Sequence, residues 1–254
     1  MTRRQMFHQL GTVLVVAGAL LLADAVATIV WQEPISAIYT GVTQDALAGD
    51  LAELEQAKPT VVESKALDNL VSTQRRIAFL GRSLRRSADP GEAIGRIKAK
   101  KASIDNVIVD GTDPADLRKG PGLYESTAYP GVGGTTGIAG HRTTYGAPFR
   151  HIDRLNPGDT ITVEMPYGKF TYRVQQRKIV PPTAVDVVKD VGYDRIVLTA
   201  CHPLYSAEKR MVVFARQIDA QPRGAARGGK VADLQGGQQA RTLGGSGLKS
   251  SPPR

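Results

Sequence analysis

Short β-branched runs, separated by clusters of proline and glycine, fill residues 103–218 and constrain the fold more than any other feature of the sequence. Clusters such as GPG, YPGVGG and NPGD favour turns, and no long helical pattern lies between the runs. Short strands joined in this way predict an antiparallel barrel or sandwich. The runs are IDNVIVD (104–110), GTTGIAGH (134–141), DTITVEM (159–165), KFTYRVQQRKIV (169–180), DRIVLTAC (194–201) and RMVVFARQ (210–217).

Two boundaries and one turn follow from this pattern. The predicted catalytic domain spans residues 102–218, and we expect this part of the chain to fold by itself. Within it, the segment MPYGKF at 165–170 predicts a hairpin loop, closed by a glycine with a positive φ.

An apolar run at residues 10–31 predicts a membrane helix. The run is apolar apart from two threonines and Asp24, and at 1.5 Å per residue it can cross a hydrocarbon core of about 30 Å. Trp31 suits the membrane interface and favours an uncleaved signal anchor. The small residues in ADA and AVA leave a cleaved signal peptide as the alternative.

The charges of the chain bear on its orientation and partners. Arg3 and Arg4 precede the apolar run, so the positive-inside rule places residues 1–9 in the cytoplasm and everything after residue 31 outside. This predicts a single-pass protein of the plasma membrane. A net charge of +9 favours an anionic surface such as lipid headgroups or an acidic cell envelope. The outward topology disfavours nucleic acid as a partner.

The segments on either side of the predicted domain differ in composition. Residues 32–101 predict an extracellular helical stalk, with helical candidates at 42–57 and 60–86. Residues 219–254 are basic, rich in glycine and poor in apolar residues, so they cannot bury enough surface to offset their chain entropy. We expect this tail to be disordered.

Cys201 is the only cysteine of the chain, and it stands where a predicted strand ends. A single cysteine cannot form an intramolecular disulfide, so it serves in packing or in chemistry. The sequence HP follows it and stops the strand, which would put the thiol at an open edge of the sheet. The plainer interpretation is a small buried apolar residue. A zinc site formed with the adjacent His202 lacks the second pair of ligands that tetrahedral coordination needs.

A nucleophilic thiol needs a proton-transfer partner and a group that stabilises the oxyanion. His141 closes the predicted strand GIAG and is the best of the four histidines, because His8 lies on the cytoplasmic side, His151 follows in a short helical segment and His202 adjoins the cysteine. Arg210 opens the next predicted strand, and its guanidinium stays charged and offers several donors. The three groups together favour catalysis over packing.

These residues carry a resemblance to a known family. A histidine in GIAGHR, a cysteine at a strand end and an arginine that opens the following strand resemble a sortase, as does the lead-in IDNVIVDGTDPADLRKGPGLYESTAYPG. The resemblance covers roughly residues 94–217. GHRTTYGAPF and CHPLYSAEKR most resemble the class E sortases, housekeeping-type enzymes of high-GC Gram-positive bacteria. Ala200 stands where the family usually has a threonine before the cysteine.

The resemblance implies an all-β fold, a closed eight-stranded sortase-type β-barrel behind the membrane helix and the stalk. It also implies transpeptidation, for which no cofactor is expected. Cys201 would attack the Thr–Gly bond of a C-terminal sorting signal, of the Leu-Ala-x-Thr-Gly or Leu-Pro-x-Thr-Gly type, in a secreted protein. His141 would protonate the leaving amine, and Arg210 would hold the oxyanion. An amine of the cell wall or of a peptidoglycan precursor would resolve the thioester. The residues expected to contact substrate are Tyr145, Thr199, Ala200 and His202.

Three alternatives remain at this point. An L,D-transpeptidase resembles Ser-His-Gly-Cys around its nucleophile, which is absent here. A papain-like wall peptidase places its cysteine before its histidine, the reverse of this chain. The third alternative is a catalytically inactive, membrane-anchored barrel that acts as a binding module at the cell surface.

Overall fold

The β-branched runs form a closed barrel. The structure, a computed structural model, describes residues 3–30 and 34–228, and within those ranges eight strands form the barrel. The strands are β1 (Ala93–Ala99), β2 (Ile104–Asp110), β3 (Gly122–Leu123), β4 (Thr135–Ala139), β5 (Thr160–Met165), β6 (Gly168–Val180), β7 (Arg195–His202) and β8 (Lys209–Pro222).

The strands follow the order β1-β2-β3-β4-β7-β8-β6-β5, and pairing of β5 with β1 closes the barrel. The expected closed eight-stranded barrel is therefore confirmed. The prediction of purely antiparallel pairing is wrong, because β2 pairs with β3 and β4 pairs with β7 in parallel. The chain runs through β5 and β6 between β4 and β7, and this long crossover lets the two strands lie side by side in the same direction.

The barrel begins before the predicted boundary at residue 102. Strand β1 lies inside the predicted stalk, and its sequence AIGRIKA has few β-branched residues, so the sequence pattern does not reveal it. Gly95 is required there, because a Cβ atom on it would lie 2.7 Å from the carbonyl oxygen of Glu164 on the neighbouring β5. Strand β3 has two residues and is too short to give any periodic signal.

Helices cover the barrel instead of forming a separate stalk. Leu47 and Leu51 of α2 are buried in one cluster with Val107 and Val109 of β2. Ile77 of α4 belongs to the main core of the barrel. The predicted helix over 60–86 is interrupted after Asp68 and restarts at Thr73. The helices are α1 (Arg3–Val30), α2 (Pro34–Gln56), α3 (Val61–Asp68), α4 (Thr73–Ser87) and, between β2 and β3, α5 (Pro114–Leu117).

The predicted hairpin at 165–170 joins β5 to β6, with Pro166 and Tyr167 in the turn. Its glycine serves a different purpose from the one expected. Gly168 does not have a positive φ. A Cβ atom there would lie 2.6 Å from Cζ of Phe170, so the glycine makes room for a fully buried ring.

The two ends of the described chain correspond to the predicted membrane helix and to the start of the predicted tail. Helix α1 contains a segment, Phe7–Ala27, that is long and apolar enough to cross a membrane. At the other end, β8 continues to Pro222, and the buried Ala226 follows in a short 3-10 turn, so ordered structure extends past the predicted boundary at 218. Trp31 and the tail predicted to be disordered, from residue 229 onward, lie outside the described residues.

Candidate active site

Parallel pairing of β4 with β7 brings His141 beside Cys201. The last paired residues are Ala139 and Thr199, and the backbone N–H of Gly140 donates to the Thr199 carbonyl at 3.0 Å. His141 and Cys201 each lie two residues beyond the Ala139–Thr199 pair. Because both strands point the same way, their ends meet at one edge of the barrel.

Antiparallel pairing of β7 with β8 places Arg210 directly opposite Cys201. The Nη1 atom of Arg210 donates to the carbonyl oxygens of Ala207 and Lys209, at 2.8 and 3.0 Å. These contacts hold the guanidinium at the mouth of the β7–β8 connection. The three residues predicted from the sequence therefore lie on or just beyond three adjacent strands, His141 after β4, Cys201 on β7 and Arg210 on β8.

Side chains alternate along β7, and this alternation separates the residues around the thiol. Ala200 packs in the barrel core with Leu198, so its side chain lies on the opposite face from Cys201. Thr199 shares the face of Cys201, and its hydroxyl lies 2.7 Å from the hydroxyl of Tyr124. The Cys201 side chain itself is partly exposed. The side chain of Ala200 is thus buried in the core, and the contacts with substrate expected for Ala200 and Thr199 stay predictions.

His141 carries a half-buried imidazole. Its Nδ1 lies 3.3 Å from the hydroxyl of Thr144, and its buried Nε2 has no hydrogen-bond partner within residues 3–30 and 34–228. Burial lowers the pKa of His141, and the positive charge of Arg118 lowers the pKa further. At neutral pH the ring is therefore mainly uncharged and can accept a proton.

Tyr145 packs beside that imidazole. The two ring centroids lie 5.1 Å apart, and the guanidinium carbon of Arg118 lies 5.6 Å from the centroid of the Tyr145 ring. The tyrosine ring thus contacts His141 and Arg118 at once. The structure gives Tyr145 a packing role, and the contact with substrate expected from the sequence stays a prediction.

Arg142 is a residue of the site that the sequence analysis missed. It is only 4% exposed, and its Nη1 lies 3.1 Å from Nδ1 of His202 and 3.5 Å from the carbonyl oxygen of Cys201. Its Nη2 forms an ion pair with Asp153 at 3.3 Å. Since arginine only donates, Nδ1 of His202 accepts, and the hydrogen of that ring is on Nε2. Arg142 therefore connects the loop that follows His141 (the histidine loop) to the end of β7.

The sequence offers one signal that could have revealed Arg142. It follows His141 directly in GHR, and a charged residue beside a catalytic candidate is worth testing as its support. Its partner His202 lies against Arg142, and the contact with substrate expected for His202 from the sequence stays a prediction. His151 precedes the 3-10 turn Ile152–Arg154, in agreement with the short helical segment expected there.

Comparisons with known proteins agree with the resemblance seen in the sequence. Residues 97–218 match the family model of the sortase domain. Sortase D of Bacillus subtilis is 31% identical over 134 residues, which are 51% of this chain and 66% of that protein. Sortase SrtE1 of Streptomyces coelicolor is 32% identical over 153 residues, which are 54% of this chain and 44% of that protein. The chain thus spans less than two thirds of the length of each of these relatives.

Solved structures match the same part of the chain. Sortase E1 from Streptomyces coelicolor, crystallised with a tripeptide in the active site, is 29% identical with a TM-score of 0.50, covering 54% of this chain and 94% of that one. The SrtA sortase from Actinomyces oris is 30% identical with a TM-score of 0.50, covering 54% of this chain and 85% of that one. The likeness to sortases, with class E enzymes among the relatives, is confirmed.

Proposed function

We infer that this chain, which belongs to the sortase family of cysteine transpeptidases through its domain at residues 97–218, joins secreted proteins to an amine of the cell wall. The observation that carries the proposal is that Cys201 lies on β7, between β4, which leads into His141, and β8, which carries Arg210 opposite the cysteine. A nucleophile, a proton-transfer group and a permanent cation at one barrel edge are what acyl transfer through a thioester requires.

In the first half-reaction, the sulfur of Cys201 attacks the carbonyl carbon of the Thr–Gly bond while the thiol proton moves to His141. Burial and Arg118 keep the imidazole uncharged beforehand, so it is ready to accept that proton. Arg210 donates to the oxyanion that forms, because its charge persists at any working pH. When the C–N bond breaks, the imidazolium returns the proton to the departing glycine amine, and a thioester remains.

In the second half-reaction, an amine attacks the thioester carbonyl, and His141 takes the proton that the attacking nitrogen loses. The C–S bond then breaks, the Cys201 thiolate leaves, and the proton passes from the imidazolium to that thiolate, which restores the thiol. The products are a new amide and the original enzyme. The cycle needs no oxidant and no net proton, so the residues of the site suffice for it.

The location proposed for this chemistry is the outer face of the plasma membrane. The apolar segment Phe7–Ala27 supports a single-pass anchor, and the arginines before it support an N-terminus inside. Substrates would be secreted proteins that end in a sorting signal, and the acceptor would be an amine of peptidoglycan or its precursor. The inactive binding barrel gains no support, because Cys201, His141 and Arg210 are retained and adjacent.

Trapping of the acyl-enzyme tests the proposal. The full chain in detergent is incubated with a sorting-signal peptide and no acceptor amine, and its intact mass is measured. We expect a mass increase equal to the peptide that ends at its threonine, less one water, reversed by hydroxylamine, and none in Cys201→Ala. A folded parent protein that never gains this mass, or a Cys201→Ala variant that does, would contradict the proposal.

Substrate choice forms a finer part of the proposal. Leu-Ala-x-Thr-Gly would be preferred over Leu-Pro-x-Thr-Gly, because the hydroxyl of Tyr145 could accept a hydrogen bond from the backbone N–H that alanine has and proline lacks. One such bond is worth about 1 kcal/mol, so the preference would be several-fold. A competition between the two peptides at limiting enzyme measures it. Preference for the proline peptide would exclude the class E specificity, and an unchanged alanine preference in Tyr145→Phe would exclude the hydroxyl contact.

A further inference from the structure

The loop that follows His141 contains three consecutive residues in the left-handed region. The φ angles are +51° at Tyr145, +69° at Gly146 and +44° at Ala147. Glycine adopts this conformation freely, but tyrosine and alanine rarely do, because Cβ approaches the following carbonyl oxygen. A run of three such residues persists only where the surrounding structure holds it. Contacts to these three residues therefore stabilise the conformation of the whole loop.

The first turns of α2 supply contacts of this kind. The backbone N–H of Tyr145 donates to Oγ of Ser36 at 3.1 Å. Thr40, only 5% exposed, packs against Gly146 so closely that an added Cβ would lie 3.0 Å from its methyl carbon. The hydroxyl of Thr40 also donates to the carbonyl oxygen of Ser36 at 2.9 Å. Ser36 and Thr40 stand four residues apart, so they share one face of the helix.

The left-handed turn is connected directly to the imidazole of His141. Thr144, next to Tyr145, places its hydroxyl 3.3 Å from Nδ1, and the Tyr145 ring packs beside the imidazole at 5.1 Å between centroids. The loop closes through the N–H of Phe149, which donates to the carbonyl oxygen of His141 at 3.0 Å. A shift of the Tyr145 backbone would therefore move two groups that orient the ring.

We propose that the first two turns of α2 position His141 for catalysis, with Ser36 and Thr40 as the positioning residues. The inference rests on the proposed function, because it assigns His141 the proton transfers. Ser36 lies six residues after Val30, where α1 ends. The segment that connects the barrel to the membrane helix is thus the same segment that holds the histidine loop.

The test compares Ser36→Ala, Ser36→Thr and Thr43→Ala in the full chain in detergent, with kcat and KM for peptide transfer measured separately. Thr43 is the matched control, since its hydroxyl donates to the Tyr39 carbonyl oxygen within α2 at 2.9 Å. We expect kcat of Ser36→Ala to fall about fivefold, the scale of one hydrogen bond, with KM nearly unchanged. Ser36→Thr keeps the hydroxyl and should restore most of kcat.

A second readout separates positioning from general stability. The pKa of His141, followed by NMR in a Cys201→Ala background, should rise toward its ordinary value in Ser36→Ala because the ring becomes less buried. The inference would be overturned if Ser36→Ala left kcat unchanged, changed KM alone, or left the pKa of His141 unchanged. It would also be overturned if Thr43→Ala lost as much kcat as Ser36→Ala. Failure of the proposed function is distinguished by acyl-enzyme trapping, since the parent protein would then form no thioester at Cys201.

Discussion

Arg118 shows how a residue outside the predicted set tunes the candidate acid-base group. It lies beside α5, far in sequence from His141, and its charge is the second cause, after burial, of the lowered pKa of that histidine. The folded pKa thus lies below the ordinary value of 6.5. A depressed folded pKa contributes stability that is present above 6.5 and is lost as the pH falls through the lower folded value.

Replacing Arg118 should therefore raise the pKa of His141. We expect Arg118→Gln to shift the NMR titration of His141, in a Cys201→Ala background, toward higher pH, while burial keeps it below the ordinary value. Arg82→Gln is the matched control, because Arg82 is an exposed arginine of α4 and is not among the causes of the shift. A shift of equal size in both variants, or none in Arg118→Gln, would contradict the proposed electrostatic coupling.

At the scale of residues, the sequence predicts the groups that act where strands end. Cys201 is identifiable because it is the only cysteine of the sequence and Pro203 follows two residues later, and His141 and Arg210 because each adjoins a predicted strand. Arg142 has only its position directly after His141 as a signal, and Arg118 has no such signal. Arg142 contacts Cys201 and His202, and Arg118 contacts Tyr145. These partners are distant in the sequence, so local patterns of residues do not predict the contacts.

At the scale of elements, α2 completes the edge of the barrel at β2. Strand β3 pairs with only Val109 and Asp110 of β2, which leaves the outer edge at Val107 open. The side chain of Gln44 takes the place of a strand there. Its Oε1 accepts from the Val107 N–H at 2.8 Å, and its Nε2 donates to the Val107 and Lys119 carbonyl oxygens, at 3.2 and 2.8 Å.

Loss of the Gln44 side chain should lower the stability of the fold, because it leaves buried backbone groups without a hydrogen-bond partner. We expect Gln44→Leu to lower the free energy of unfolding by about 1–3 kcal/mol, the usual penalty for an orphaned buried donor or acceptor. Urea denaturation measures the change, and Gln56→Leu, at the exposed end of the same helix, is the control. Equal stability of Gln44→Leu and the parent protein would show that water or a neighbour replaces the amide.

The element boundaries show what the pattern of residues can and cannot predict. Strands β2 and β4 to β8 each overlap a run predicted from the sequence, because β-branched residues recur along them. Strand β1 is not predicted, because its two β-branched residues, Ile94 and Ile97, stand three positions apart and do not follow the alternation of a strand. The parallel pairing of β4 with β7 was missed because it depends on the path of the whole chain.

At the scale of the whole molecule, the helices before the barrel belong to the folding unit. Residues 102–218, the predicted domain, lack β1, which pairs with both β2 and β5 and closes the barrel. They also lack α2 and α4, whose apolar side chains are buried against β2 and the core. We therefore expect a protein of residues 34–228 to fold and one of residues 102–218 to remain unfolded or aggregate.

Circular dichroism and thermal melting of the two proteins check this expectation. The longer protein should melt cooperatively, and the shorter one should show no cooperative transition, because removal of β1 exposes two strand edges. Cooperative melting of residues 102–218 with strand content like that of the longer protein would contradict it. The barrel would then close without β1, and the helices would be accessory.

Transfer of a sorting-signal peptide to an amine tests the central claim most directly. The full chain in detergent is incubated with a Leu-Ala-x-Thr-Gly peptide and triglycine, and products are identified by mass. The account predicts cleavage after threonine and a joined product, absent in Cys201→Ala and reduced about 100-fold or more in His141→Ala and Arg210→Ala. His151→Ala, the matched control, should be nearly normal. Appreciable turnover by a folded Cys201→Ala protein, or a His151→Ala protein as inactive as His141→Ala, would contradict the account.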